Sequence, residues 1–452
     1  MKEQIKQRVD RLKAFHASGA TKPIPFRIAQ LKKLKQTILS LQKEIEEALW
    51  KDLHKSPEEA FMTETSIVLQ EIDCHVKHLR KWAKPQRVCS PIALFPSSSY
   101  IYTEPLGTAL IIAPWNYPFQ LILNPLIGAI SAGCCAMMKP SPAAAHTANI
   151  VERIVRESFA PEHVDIVQGR RDVNALLLEQ KYDFIFFTGS PELGQIVYRS
   201  AAEHLTPVIL ELGGKSPCIV DKDANVRIAA RRIAWGKWLN AGQTCIAPDY
   251  LFVHSSVKDS LLSAIKQETE SMYGKHIADS RFFPRIITDS AFDRLVGLMK
   301  GEDVYYGGET KKQERYISPT ILDNITADSA IMQEEIFGPL LPVLCFEEME
   351  TVLSHVNSHA KPLALYYFGK QSEQILSQTS SGGACIDDTI LHIANHKLPF
   401  GGVGKSGMQK YHGRESFLLF SNRRGVVKTP AWIDLPLRYP PFRFFKLIKH
   451  IL

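Results

Sequence analysis

The run Pro105–Met138, PLGTALIIAPWNYPFQLILNPLIGAISAGCCAMM, contains no charged residue. It is long enough to span a bilayer, yet Pro114, Pro118, Asn124-Pro125 and Gly133 interrupt it. It reads instead as a buried strand at Thr108–Ala113, a turn, a helix at Phe119–Ser131 and a second buried strand at Cys134–Met138. Strands of a parallel sheet are covered on both faces, so they show as continuous apolar runs and not as an alternation of apolar and polar.

Outward from this run the same grammar continues. Helices are predicted at His146–Ser158, Val173–Glu179 and Leu193–Glu203, and strands at Val164–Val167, Phe184–Phe187 and Val208–Leu210. That alternation predicts βαβ units around a mostly parallel sheet. After Gly213-Gly214 the pattern restarts: strand Pro217–Val220, helix Val226–Leu239, strand Tyr250–Val253, helix Val257–Met272. A second α/β domain follows. Upstream, Phe26–Leu53 and Ala60–Trp82 carry amphipathic helical patterns. Ser97–Thr103 and Gly425–Thr429 fit neither domain; both read as exposed strands, suited either to a bridging sheet for oligomer contact or to cover by their own chain.

At 452 residues the chain exceeds what one hydrophobic core serves, so two or three domains are expected. A 45% hydrophobic and 22% charged composition is that of a globular protein. The formal charge of +7 is modest over this length; it serves solubility or attracts anions and does not call for nucleic acid. Met1–Lys13 alternates charged and apolar residues and lacks the apolar core of a secretory signal. The eight cysteines form no CxxC pair, which points to reduced thiols in a cytoplasm.

Three segments carry candidate chemistry. Asn240-Ala-Gly-Gln-Thr-Cys245 follows a predicted helix and places a thiol in a glycine-containing connection, where backbone amides lower a thiol's pKa and stabilise an oxyanion. Most single cysteines are small buried hydrophobes, so this segment alone decides nothing. Ala113-Pro-Trp-Asn116-Tyr-Pro-Phe119 puts an amide at the carboxyl end of a strand, the edge where open α/β sheets bind ligands. Leu210-Glu211-Leu-Gly-Gly-Lys-Ser-Pro217 puts a carboxylate at another such end.

Together these segments resemble the aldehyde dehydrogenase superfamily. The resemblance continues at Phe187-Thr-Gly-Ser190, Glu334-Glu-Ile-Phe-Gly-Pro339 and Pro399-Phe-Gly-Gly-Val-Gly-Lys-Ser-Gly407, in the family's order, and covers about Glu104 to Arg424. NAGQTCIAPDY from Asn240, Tyr411-His-Gly413, FSNRR from Phe420 and RYPP from Arg438 are similar to the class 3 branch, which includes fatty aldehyde dehydrogenases. The resemblance implies an α/β fold with a Rossmann-type cofactor domain (1–96 and 106–211), an α/β catalytic domain (212–408), a small bridging β-sheet (97–105 and 409–430) and a tail (431–452).

It also implies roles. Cys245 attacks the aldehyde, Asn116 and the Cys245 N–H hold the oxyanion, a hydride passes to NAD or NADP, and Glu211 activates the water that cleaves the thioester. Cofactor contacts fall on Trp115, Lys139, Gly189, Ser190, Gly194, Glu335 and Phe337, with Ser190 and Pro191 opening a helix toward the pyrophosphate. Many NAD-preferring relatives carry Glu three residues beyond the lysine; here Pro142 stands there, so NADP is expected to be tolerated. A CoA-acylating enzyme is the alternative, and Glu211 argues against it; a non-catalytic protein on the same fold would have no use for Cys245, Asn116 and Glu211 together.

A medium to long aliphatic or aromatic aldehyde, a homodimer and no metal are expected. His392 and His396 have helical i,i+4 spacing but no third ligand. Trp115 and Trp238 are candidates for the substrate tunnel, and Cys134, Cys135, Cys218, Cys345 and Cys385 read as core or near-site packing. The basic, apolar tail Pro441–Leu452 is open to three readings: a packed helix, a lid, or a peripheral membrane anchor.

Overall fold

Leu110, Ile112, Cys135 and Met137 alternate with Ala109, Ile111, Ala136 and Met138 along two neighbouring strands, and both sets are buried. Each face of this sheet has its own core. The computed structural model describes residues 1–436, 439–442, 445, 446 and 449; the tail expectation for Pro441–Leu452 falls mostly outside them.

The six-stranded sheet runs Gly407–Met408, Val208–Leu212, Phe184–Gly189, Thr108–Ile112, Cys135–Lys139, Val164–Ile166. All neighbours are parallel except Gly407–Met408. One face is covered by Gln120–Ala132, which ends where Gly133 takes a left-handed φ of 93°. The other receives Lys2–Ala17, whose Ile5, Val9 and Leu12 pack on Leu110 and Met137. This first helix was absent from the expected elements. Three apolar residues at i, i+4 and i+7 among many charges are a thin signal, yet burying each yields about 1.5–3 kcal/mol. Arg8 and Arg11 fix it by bridging Asp165.

The seven-stranded sheet runs Asp303–Tyr306, Thr320–Asp323, Leu340–Phe346, Tyr250–His254, Pro217–Val220, Ala364–Phe368, Gly383–Ile386, parallel but for its first strand. The two exposed strands of the sequence reading pair with each other: Ser98–Pro105 and Ser421–Lys428 are antiparallel over their whole length, joined by Gln86–Val88. Of 409–430 only Ser421–Lys428 lies in this sheet; Arg414–Leu419 is a helix packed on Gln120–Ala132.

Two packing expectations are corrected. Cys345 is exposed, because its strand turns that one side chain outward between buried neighbours. Trp238 is fully buried, its indole N–H donating to Thr269 Oγ1 at 2.8 Å, and it does not reach the central cavity; Trp235, one turn earlier, does. The expected helix Ala60–Trp82 begins with a π-helical turn, Phe61–Thr65, before Ser66–Trp82.

Candidate active site

The helix Val226–Trp238 ends in Leu239–Gly242, where Asn240, Ala241 and Gly242 hold φ of 53°, 52° and 71°. Two non-glycine residues in the left-handed region are uncommon and need holding in place. Glu59 accepts the Asn240 N–H at 2.9 Å, and Gln243 donates to the Asn240 and Arg285 carbonyls at 3.0 Å each while accepting Ile287 N–H at 3.0 Å. Gly242 must be glycine for a second reason. A Cβ there would stand 2.2 Å from the Gly338 carbonyl, so this loop touches the segment carrying Glu335 and Phe337.

Cys245 follows this turn and opens onto a cavity of about 490 Å³. Asn116, Glu211, Glu335, Phe337, Trp115, Gly189 and Ser190 line the same cavity. Asn116 is buried; its Nδ2 donates to the Gln243 carbonyl at 3.0 Å and its Oδ1 has no partner. Glu211 leaves the sheet edge with both carboxyl oxygens buried and unpartnered. Trp115 and Phe337 meet edge to face at 5.4 Å.

Lys139 and Gly194 lie off this cavity. Lys139 ends its strand, buried, donating to the Pro140 carbonyl at 2.7 Å; burial lowers its pKa to about 8. Gly194 serves packing, since a Cβ would come 2.7 Å from Leu212. Ser190 caps the helix Pro191–Ala202 by accepting the Leu193 N–H at 3.4 Å. This helix start, beside the partnerless buried hydroxyl of Thr188 on the cavity wall, suits a nicotinamide dinucleotide.

The sequence reading missed the supports behind Asn116. Lys55, fully buried, donates to the Asn116 carbonyl at 2.9 Å and to Glu64 Oε1 at 2.6 Å. Glu64 Oε2 accepts from the Phe119 and Gln120 amides at 2.9 and 3.2 Å, tying the turn to the start of its helix. Asn240 Nδ2 completes the set at 2.8 Å from the Asn116 carbonyl. His396 pairs with Glu71 at 2.7 Å, while His392 faces Cys385 at 3.3 Å, so the two histidines turn to different partners.

The family model for aldehyde dehydrogenases matches residues 1–426. The chain belongs to the aldehyde dehydrogenase family. It is similar to 4,4'-diaponeurosporen-aldehyde dehydrogenase of Staphylococcus aureus, 44% identical over 98% of both chains. A dimeric NADP-preferring aldehyde dehydrogenase of Canis lupus familiaris is 41% identical over 99% of this chain and 100% of its own. The substrate-bound state of Staphylococcus aureus AldH superposes with a TM-score of 0.97 at 44% identity, covering 99% of each chain. This aldehyde dehydrogenase is thus an oxidoreductase of aldehydes that uses NAD or NADP.

Charge at its site runs against one expectation. Nearby amides were expected to lower the Cys245 thiol; burial, reinforced by the carboxyls of Glu335 and Glu211, pushes it well up, and the Cys245 and Ile246 amides offset only part. Burial likewise holds Glu211 well above the usual carboxylate range, with Lys410 opposing. Glu335 rises to about 8, from burial and then Asp249. Burial thus disfavours the ionised form of the thiol and of both carboxyls, so each needs a compensating charge or donor to act as nucleophile or base.

Proposed function

We propose that this dehydrogenase converts a medium to long aliphatic or aromatic aldehyde to its carboxylic acid through a thioester on Cys245. The observation that carries the reading is the shared cavity of Cys245, Asn116 and Glu211. The Cys245 thiol gives up its proton to water as its sulfur bonds to the aldehyde carbon, and the carbonyl oxygen takes the charge, to be met by Asn116 Nδ2 and the Cys245 N–H. When bound, NAD(P) supplies the acceptor for the electron pair of the aldehyde C–H bond. Trp115, Gly189, Ser190, Glu335 and Phe337, which line the cavity, would hold it together with Lys139 and Gly194. Glu211 then takes a proton from water as its oxygen bonds to the thioester carbon; the C–S bond breaks, releasing the acid and restoring the thiol.

The substrate class rests on the apolar walls: Met62, Ile67, Leu121, Trp235, Leu239 and Ile393 line the cavity. The six-stranded sheet would hold the cofactor and the seven-stranded sheet the chemistry. A graded aldehyde panel, run with NAD and NADP and with or without CoA, tests the whole reading. Acid is the expected product, with apolar aldehydes of longer chain giving the lower KM and both cofactors supporting turnover. Acyl-CoA as the main product, or no turnover with millimolar NADP while NAD works, overturns the corresponding part.

A homodimer built through the free edge of Ser421–Lys428 accompanies this reading; that strand is exposed along most of its length. Sedimentation equilibrium should give twice the chain's mass of 50.9 kDa, and a monomer at micromolar concentration rejects it.

A further inference from the structure

Glu211 is buried, and neither of its carboxyl oxygens has a hydrogen-bond partner. A carboxyl in that position stays neutral unless a positive charge stands near it. A neutral carboxylic acid cannot take a proton from water. The base assigned to Glu211 under the proposed function, on which the present inference rests, therefore requires a cation.

The backbone brings one there. Gly407–Met408 pairs antiparallel with Glu211 and Leu210, and the chain then returns toward the cavity through Gln409, Lys410 and Tyr411. The Lys410 ammonium is fastened by donating to the Gly382 carbonyl at 2.9 Å and to the Gly401 carbonyl. Gly401 is the gap between the two side chains. A Cβ built on it would stand 2.6 Å from Glu211 Oε1 and 3.1 Å from Lys410 Cδ. The lysine stem and the carboxyl oxygen thus converge on one point, with no side chain of residue 401 between them.

The titratable groups facing Glu211 are Lys410, Tyr411 on the same connection, and Cys245 from the opposite loop. Burial pushes the tyrosine and the thiol well up, so both are neutral near pH 7. Lys410, though lowered by burial, is the group of positive charge among them.

We propose that Lys410 is a positioning residue whose fixed ammonium holds Glu211 in the carboxylate form needed for thioester hydrolysis. It touches neither substrate nor cofactor in this role; it acts through Glu211. A lysine that only stitched the Gly382 and Gly401 loops together would leave the ionisation of Glu211 alone, and that difference is measurable.

The test uses hydrolysis of 4-nitrophenyl acetate without cofactor, a reaction that forms and cleaves an acyl group on Cys245. Deacylation is followed against pH in the full chain, in Lys410→Met, in Lys410→Gln (which keeps donors for the carbonyls but drops the charge), in Lys410→Arg and in Glu211→Gln. Activity needs ionised Glu211, so the rate falls as pH drops through its pKa. Losing the cation raises that pKa and moves the acid limb to higher pH. A shift of about one unit corresponds to a roughly tenfold slower deacylation on that limb. Met and Gln are expected to show it, with acylation of Cys245 retained, and Arg to keep the original limb. Should Lys410→Met not fold, Lys410→Gln decides alone. Unshifted limbs in the uncharged variants, with Glu211→Gln stalled, overturn the inference. Hydrolysis at the full rate in Glu211→Gln overturns instead the reading of Glu211 as base.

Discussion

Cys245→Ala is expected to give no NADH or NADPH from any aldehyde while still binding the cofactor. Removing one oxyanion donor typically costs about 10²–10³-fold in rate. Removing the nucleophile eliminates the covalent intermediate itself, so the loss should exceed that range and reach background. No other thiol can take over: Cys134, Cys135 and Cys218 are buried in the core, and of the eight cysteines only Cys245 lines the cavity. The substitution removes a sulfur from a side chain that borders the cavity, so the fold should survive, and an unchanged melting temperature with normal cofactor binding checks that it has. Reduced-cofactor formation at a tenth of the original rate would assign the chemistry to another group.

What the sequence made legible, and what it hid, follows from the range over which each interaction acts. The central sheet was readable because strands covered on both faces are uniform apolar runs, as Thr108–Ile112 and Cys135–Lys139 are. Cys245, Asn116 and Glu211 were readable because each sits at a strand or helix end among glycines or prolines, within a motif of family order. Lys55, Glu59 and Glu64 were not. Charged residues in or beside a helical stretch read as a solvated face, and only tertiary structure buries them against the Asn116, Phe119 and Asn240 backbones. Burial also reversed the expected direction of the Cys245 pKa: the amides seen in the motif are present, but the desolvation and the two neighbouring carboxyls outweigh them. Lys410 was hidden for the same reason as Lys55, since its partner lies on a strand about two hundred residues earlier, and nothing local marks the approach.

Glu211→Gln should separate the two halves of the reaction. The amide has nearly the same shape and adds no buried charge, so the change should leave stability within about 1 kcal/mol of the original. It removes the proton acceptor for water. Acylation of Cys245 does not use that acceptor in the proposed scheme, whereas hydrolysis does. Mixing enzyme, cofactor and aldehyde should therefore release one reduced cofactor per active site in a burst, followed by a steady rate lower by about 10²–10⁴-fold, the usual contribution of a general base. Mass spectrometry of the quenched protein should find the acyl group on Cys245. A variant lacking the burst as well as the steady phase would mean that Glu211 acts before the thioester forms, by taking the thiol proton from Cys245. The two groups share one cavity, and the Glu211 carboxyl adds to the cost of ionising the thiol, so transfer between them is the competing route. The burst amplitude decides between them, since it counts thioesters formed and is independent of how slowly they hydrolyse.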